Sequence, residues 1–167
     1  MLQPGQPAPM FSLPDADMDT FDLASLRGKQ HVVIFFYPKD GTPYCTREAI
    51  EFSDHEAEFN RRNCVIVGVS RDDCLAHAEF RDKNGLSVRL LSDVDGKVGH
   101  QYGVYHYREI DGHKKLAVLR STFIVDKQGI IRHALYEVPT KGHAAEVFQL
   151  VKQLDGHRQP CKSKKTP

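Results

Sequence analysis

His31-Val32-Val33-Ile34-Phe35-Phe36-Tyr37-Pro38-Lys39-Asp40-Gly41-Thr42-Pro43-Tyr44-Cys45 changes character twice. From Val32 to Tyr37 every residue is β-branched or aromatic, and Pro38 closes the run. A continuously apolar stretch of this kind predicts a strand buried on both faces, as in a parallel sheet. The next residues are polar and turn-forming. Thr42 stands where a helix N-cap belongs, and Pro43 suits a first helical turn. Ala49, Phe52, Glu56 and Phe59 then recur at helical spacing, so a helix is expected over about residues 45–62. Cys45 therefore lies where a buried strand hands over to a helix. In open α/β sheets this carboxyl edge is where sites are placed.

The same alternation continues outward. Val65-Ile66-Val67-Gly68-Val69-Ser70 predicts a second buried strand. A helix over about 73–83 follows, with Ser70, Asp72 or Asp73 as its cap. Leu90-Leu91 is a short apolar piece, and residues 94–102 suit a short helix. Two strands are expected at 116–126 and 130–136, joined by a tight turn at Lys127-Gln128-Gly129. Ala144, Val147, Val151 and Leu154 stripe a last helix over about 142–154. The first thirty residues are rich in Pro, Asp and Gly. They predict a loop-rich entry with one or two short strands and a helical turn at Leu23 to Leu26, closed by Gly28. The order β-α-β-α, hairpin, helix is that of a thioredoxin-like α/β fold, a central mixed sheet with helices on both faces. One domain is expected over residues 1–154, with a polar, mobile tail at 155–167.

Composition narrows the function. The chain has 167 residues, 40% apolar and 27% charged, with 23 Lys and Arg against 22 Asp and Glu. So balanced a charge argues against nucleic acid or a membrane surface as partner. No apolar run is long enough to span a bilayer, and the N-terminus lacks the basic start and apolar stretch of an export signal, so a cytoplasmic protein is expected. The nine histidines form no His-x-His or His-Glu-x-x-His pattern, and Cys-x-x-Cys is absent, so no metal is expected. Asp15, Asp17, Asp19 and Asp22 imitate a calcium loop but have Thr20 where glycine is needed and Leu26 where the closing glutamate is needed. Gly96, Gly99 and Gly103 lack phosphate-loop spacing, and no haem or flavin signature is present; no cofactor is expected.

The four cysteines are Cys45, Cys64, Cys74 and Cys161. A chain this long needs no disulfide staples, so each is either core or chemistry. A lone cysteine after a strand is usually core. Cys45 differs in lying within a first helical turn, where unpaired backbone N–H groups and the helix dipole favour a thiolate, the nucleophilic form.

The string around it contains Pro38-x-x-x-Thr42-x-x-Cys45, the active-site pattern of peroxiredoxins. The chain resembles that family from Gly5-Gln6-Pro7-Ala8-Pro9-Met10-Phe11 to the last helix. It is most similar to the bacterioferritin comigratory protein, or peroxiredoxin Q, subgroup, whose run reads Tyr-Pro-Lys-Asp-x-Thr-Pro-Gly-Cys-Thr-x-Glu; Tyr44 replaces the glycine. Arg120-Ser121-Thr122-Phe123-Ile124-Val125-Asp126 resembles the second family motif. The resemblance implies a thiol-dependent peroxidase that acts on hydrogen peroxide and organic hydroperoxides. In it Cys45 is the peroxidatic cysteine, Thr42 hydrogen-bonds peroxide and sulfur, Pro38 walls the pocket, and Arg120 stabilises thiolate and peroxide. Glu48 matches the family's glutamate and is expected on the helix surface or as a loop anchor. The reductant would be a thioredoxin-like protein or a low-molecular-weight thiol, and the enzyme a monomer or homodimer.

The sulfenic acid formed at Cys45 must be reduced again. Many subgroup members carry a second cysteine five residues on, but Ile50 stands there. Others keep it at the position of Arg81. Cys64 begins the second strand, roughly 20 Å from the Cys45 edge, and is expected in the core. Cys74 begins the next helix at the correct edge. Cys161 lies in the tail and lacks the Val-Cys-Pro context of C-terminal resolving cysteines. The resolving group is thus Cys74, no internal cysteine, or Cys161. Two further classes share the fold: a thiol–disulfide oxidoreductase and a non-catalytic thioredoxin-like binding module or holdase.

Overall fold

The computed structural model describes residues 1–156. Its centre is a five-stranded sheet of order β5-β4-β3-β8-β9. The strands are β3 (His31–Phe36), β4 (Cys64–Ser70), β5 (Arg89–Ser92), β8 (Ser121–Val125) and β9 (Ile131–Leu135). β3, β4 and β5 run parallel, while β8 is antiparallel to both β3 and β9. Every residue of β3 is buried, as its unbroken apolar run requires.

Parallel neighbours need crossovers, and α1 (Pro43–Arg61) and α2 (Cys74–Asn84) supply them. Both moves step the same way across the sheet, so right-handed crossovers put α1 and α2 on one face. There Ala49, Phe52, Phe59 and Phe80 pack with Val33, Phe35, Ile66 and Leu90, and α4 (His143–Gly156) adds Ala144, Val147 and Val151. The other face carries α3 (Lys97–Gln101), the β1 (Ser12–Pro14) and β2 (Thr20–Asp22) ribbon and a short 3-10 turn at Leu23–Leu26. The fold is therefore the expected thioredoxin-like α/β sandwich with helices on both faces. No helix among the described residues is long and apolar enough to cross a membrane.

Two glycines are required. A Cβ on Gly68 would lie 2.6 Å from the Phe35 ring, so the ring can lie over β4 at this point only where no Cβ stands. Gly129, at φ +84°, closes the β8–β9 turn by donating its N–H to the Asp126 carbonyl.

One expected strand is not a single strand. Residues 116–126 are divided between β7 (His113–Val118), which pairs with β6 (Tyr105–Ile110) in a separate ribbon, and β8 in the main sheet. The ribbon turns through Asp111-Gly112, both at positive φ, the signature of a two-residue hairpin. Leu119 and Arg120 are the corner where the chain changes sheet. The Leu119 N–H donates to the Val104 carbonyl, and the Arg120 carbonyl accepts from Val138 N–H. The corner delivers Arg120 to the end of the sheet where β3 meets α1.

Candidate active site

Cys45 is the third residue of α1 and 1% exposed. Pro43 begins the helix, and Thr42 holds the extended cap backbone. The Thr42 hydroxyl does not cap the helix, contrary to expectation. It donates to the Lys39 carbonyl at 3.2 Å and so tightens the preceding loop, while the Thr42 carbonyl accepts from Thr46 N–H and Oγ1. The first turn of α1, in which Cys45 stands, therefore has no side-chain cap for its amides. Pro38 ends β3 and is exposed. Tyr44 is 62% exposed, with the Arg47 guanidinium 5.8 Å from its ring centre.

Arg120 Nη2 donates to Cys45 Sγ at 3.3 Å. Its Nη1 donates to Glu48 Oε1 at 3.0 Å. Glu48 lies one turn after Cys45 on the same face of α1. It is 1% exposed, so of the two expectations, helix surface or loop anchor, the surface one does not hold. Burial pushes its carboxyl up to about 7 against the pull of Arg120, and Oε2 has no hydrogen-bond partner. The corner, fixed by its backbone bonds, thus presents one guanidinium to a thiol and a carboxylate at once. A fork of donors aimed at sulfur stabilises a thiolate and any anion forming beside it.

Cys64 is buried in the core at the far end of β4, its residue registered against His31. Cys74 opens α2 half-buried, on the segment that follows Ser70 at the Cys45 end of the sheet. Cys45, Cys64 and Cys74 form no disulfide with one another in this structure. Arg81 pairs with Asp17 and Asp82 at 2.9 and 3.0 Å. Residues 155 and 156, expected to begin the tail, still belong to α4, and Cys161 with the rest of the expected tail, 157–167, falls outside the described residues. Sequence patterns did not reveal a second group, in which the half-buried Asp40 and Asp72 and the buried His77 bring one ligand-type atom each within 4.8 Å of one another. They come from three segments, so no spacing could announce them.

A buried, arginine-paired cysteine at a helix start of a thioredoxin-like fold defines a thiol peroxidase. The model of the AhpC/TSA family matches residues 4–134, and the chain belongs to that family. A Helicobacter pylori chain assigned to the bcp peroxiredoxins is 43% identical over 148 residues, 89% of this chain and 97% of that one. Peroxiredoxin Bcp of Bacillus subtilis is 35% identical over 153 residues, 92% and 97% of the two chains. The bacterioferritin comigratory protein of Xanthomonas campestris, solved in work on its alkyl peroxide reduction, superposes with a TM-score of 0.83 at 31% identity, covering 86% of this chain and 91% of that one. The protein is a peroxiredoxin, an enzyme that reduces peroxides with electrons from thiols. Its family is thus that of the peroxidases, rather than that of a thiol–disulfide oxidoreductase or a non-catalytic binding module.

Proposed function

We propose that Cys45 is the peroxidatic nucleophile and that its substrates are hydrogen peroxide and organic hydroperoxides. The observation that carries this is the 3.3 Å contact from Arg120 to a buried Cys45 sulfur. The Cys45 thiolate attacks one peroxide oxygen, and an S–O bond forms as the O–O bond breaks. The other oxygen leaves as hydroxide or alkoxide and takes a proton to become water or an alcohol. Cys45 is left as sulfenic acid. Arg120 and the first-turn amides meet the charge as it moves from sulfur to oxygen, which is when fixed donors help most. Thr42 turns its hydroxyl from Lys39 to the peroxide, and Pro38 closes the rim.

Cys74 then attacks the sulfenic sulfur, expelling water and forming a disulfide. A disulfide needs Cα atoms within about 7 Å, so the start of α1 or α2 unwinds for this step. A dithiol of the thioredoxin type, or a small thiol, reduces the bridge. The catalytic cycle needs Cys45 returned to its thiol form, which suits a reducing compartment, the cytoplasm. The protein works as one catalytic domain over residues 1–154, as a monomer or homodimer.

The test is peroxide consumption coupled to a thioredoxin-type reductant. Cys45→Ser is expected to abolish turnover. Cys74→Ser is expected to keep a single round of Cys45 oxidation but to lose the intramolecular disulfide. A Cys45→Ser protein with undiminished turnover contradicts the nucleophile, and a Cys74→Ser protein that forms the same disulfide contradicts the resolving role.

A further inference from the structure

The loop before Cys45 is held by a buried tether that the peroxidase chemistry does not itself use. Asp40 sits in that loop, five positions ahead of Cys45. Its N–H donates to Asp72 Oδ2 at 2.8 Å, and its Oδ2 lies 2.6 Å from His77 Nδ1. Tyr37 Oη donates to its Oδ1 at 2.6 Å. Across the contact, Ser70 Oγ donates to Asp72 Oδ2 at 2.7 Å, and His77 Nε2 lies 2.9 Å from the Leu91 carbonyl in β5. The His77 side chain is wholly buried, and that of Asp40 is 7% exposed.

The proton positions follow from the partners. A carbonyl oxygen only accepts, so His77 Nε2 carries a hydrogen and donates to Leu91. The short Nδ1–Asp40 contact holds one further proton between ring and carboxylate. Burial and then the Asp40 charge push the Tyr37 hydroxyl well above the usual phenol range, so it stays protonated and keeps donating. Asp40, Asp72 and His77 meet as closely as metal ligands do. Their facing atoms are already committed to one another or to protein donors, so the group reads as a tether and not as an ion site.

What the tether joins gives it a consequence. One end is the loop that leads into Cys45. The other is the first turn of α2, where Cys74 lies three positions before His77 and therefore on the same side of the helix. In this structure the tether is closed, both helix starts are folded, and Cys45 lies beside Arg120. A Cys45–Cys74 bridge requires one of those starts to unwind.

We propose that Tyr37, Asp40 and His77 are positioning residues that lock the Cys45 loop to the start of α2, and that opening this lock sets how much Cys45 sulfenic acid passes to Cys74 and how much is over-oxidised. The proposal rests on the roles assigned above to Cys45 and Cys74. In chemical terms one intermediate has two fates. Attack by the Cys74 thiolate gives a disulfide and water. Attack of the sulfenic acid on a second peroxide gives sulfinic acid and water or alcohol.

Two measurements on the full chain test it. The first is amide hydrogen exchange of the reduced protein, compared with Tyr37→Phe, which removes one donor and keeps the ring between Phe35 and Phe80. Exchange over residues 39–46 and 73–77 is expected to rise together, about fivefold, as the loss of one hydrogen bond predicts. Acceleration in one segment alone, or in neither, overturns the lock. The second is the ratio of disulfide to Cys45 sulfinic acid after a peroxide pulse, read by mass. It is expected to rise about fivefold in Tyr37→Phe and more in His77→Leu, and to fall back toward wild type in His77→Asn, whose amide restores a donor to Asp40. A ratio does not move when a variant merely lowers the amount of folded protein. An unchanged ratio overturns the proposal, and so does an equal one in His77→Leu and His77→Asn. If wild-type Cys45 does not oxidise at all, the catalytic reading fails, while hydrogen exchange still judges the lock.

Discussion

Arg120 divides its guanidinium between a sulfur and a carboxylate, and both contacts have measurable consequences. Removing a donor aimed at developing charge costs about a hundredfold to a thousandfold in rate. Arg120→Met is therefore expected to slow Cys45 oxidation by about that factor in a single-turnover peroxide assay, with Arg120→Lys intermediate because an ammonium lacks the fork. The Glu48 carboxyl holds its proton in the folded protein up to about pH 7, whereas an ordinary glutamate releases it near 4.5. Between those values the folded state binds more protons, so stability from this group falls as pH rises, by up to about 3 kcal/mol. His133 and His143, held below their usual range by burial, act in the opposite direction. The comparison is thus wild type against Glu48→Gln in urea unfolding from pH 5 to 8. The wild type is expected to lose stability relative to the variant as pH rises, and a constant difference contradicts the assignment. Cys45 and Arg120 were legible in sequence because each sits in a motif. The burial of Glu48 was not, since a glutamate on an amphipathic helix normally faces water. Nor was the hydroxyl of Thr42, because an N-cap position does not dictate where its side chain turns.

At the scale of elements, the strands and helices that build the parallel half were legible because their periodicities are clean. β3 and β4 are unbroken apolar runs, and α1 and α4 carry regular stripes. The β6–β7 ribbon was missed because its strands are polar and mostly exposed, so no buried face imposes alternation. Its one local signal was Asp111-Gly112. Merging β7 with β8 hid the corner that aims Arg120. The Phe35 ring lying over Gly68 gives a test of element packing. Gly68→Ala would put a methyl 2.6 Å from Phe35, and overpacking of this kind costs about 1–3 kcal/mol. Thermal unfolding is expected several degrees lower, and an unchanged midpoint contradicts the tight fit of the Phe35 ring on Gly68.

Across the whole molecule, the order of elements foretold a mixed sheet with the site at the carboxyl ends of its parallel strands. It did not foretell that Tyr37, Asp40, Asp72 and His77 would meet, since only the folded chain brings β3, the Cys45 loop and α2 to one point. The same holds for the proposed fate of the sulfenic acid, which would turn on whether the start of α1 or of α2 opens, and no stretch of sequence states that. The measurement that tests the central claim most directly is intact mass with peptide mapping after one equivalent of hydrogen peroxide, without reductant. The account predicts a loss of two hydrogens, mapped to a Cys45–Cys74 bridge. In Cys74→Ser it predicts a gain of one oxygen on Cys45. A wild-type protein that keeps its mass and all its thiols would contradict Cys45 as the peroxide-reactive nucleophile.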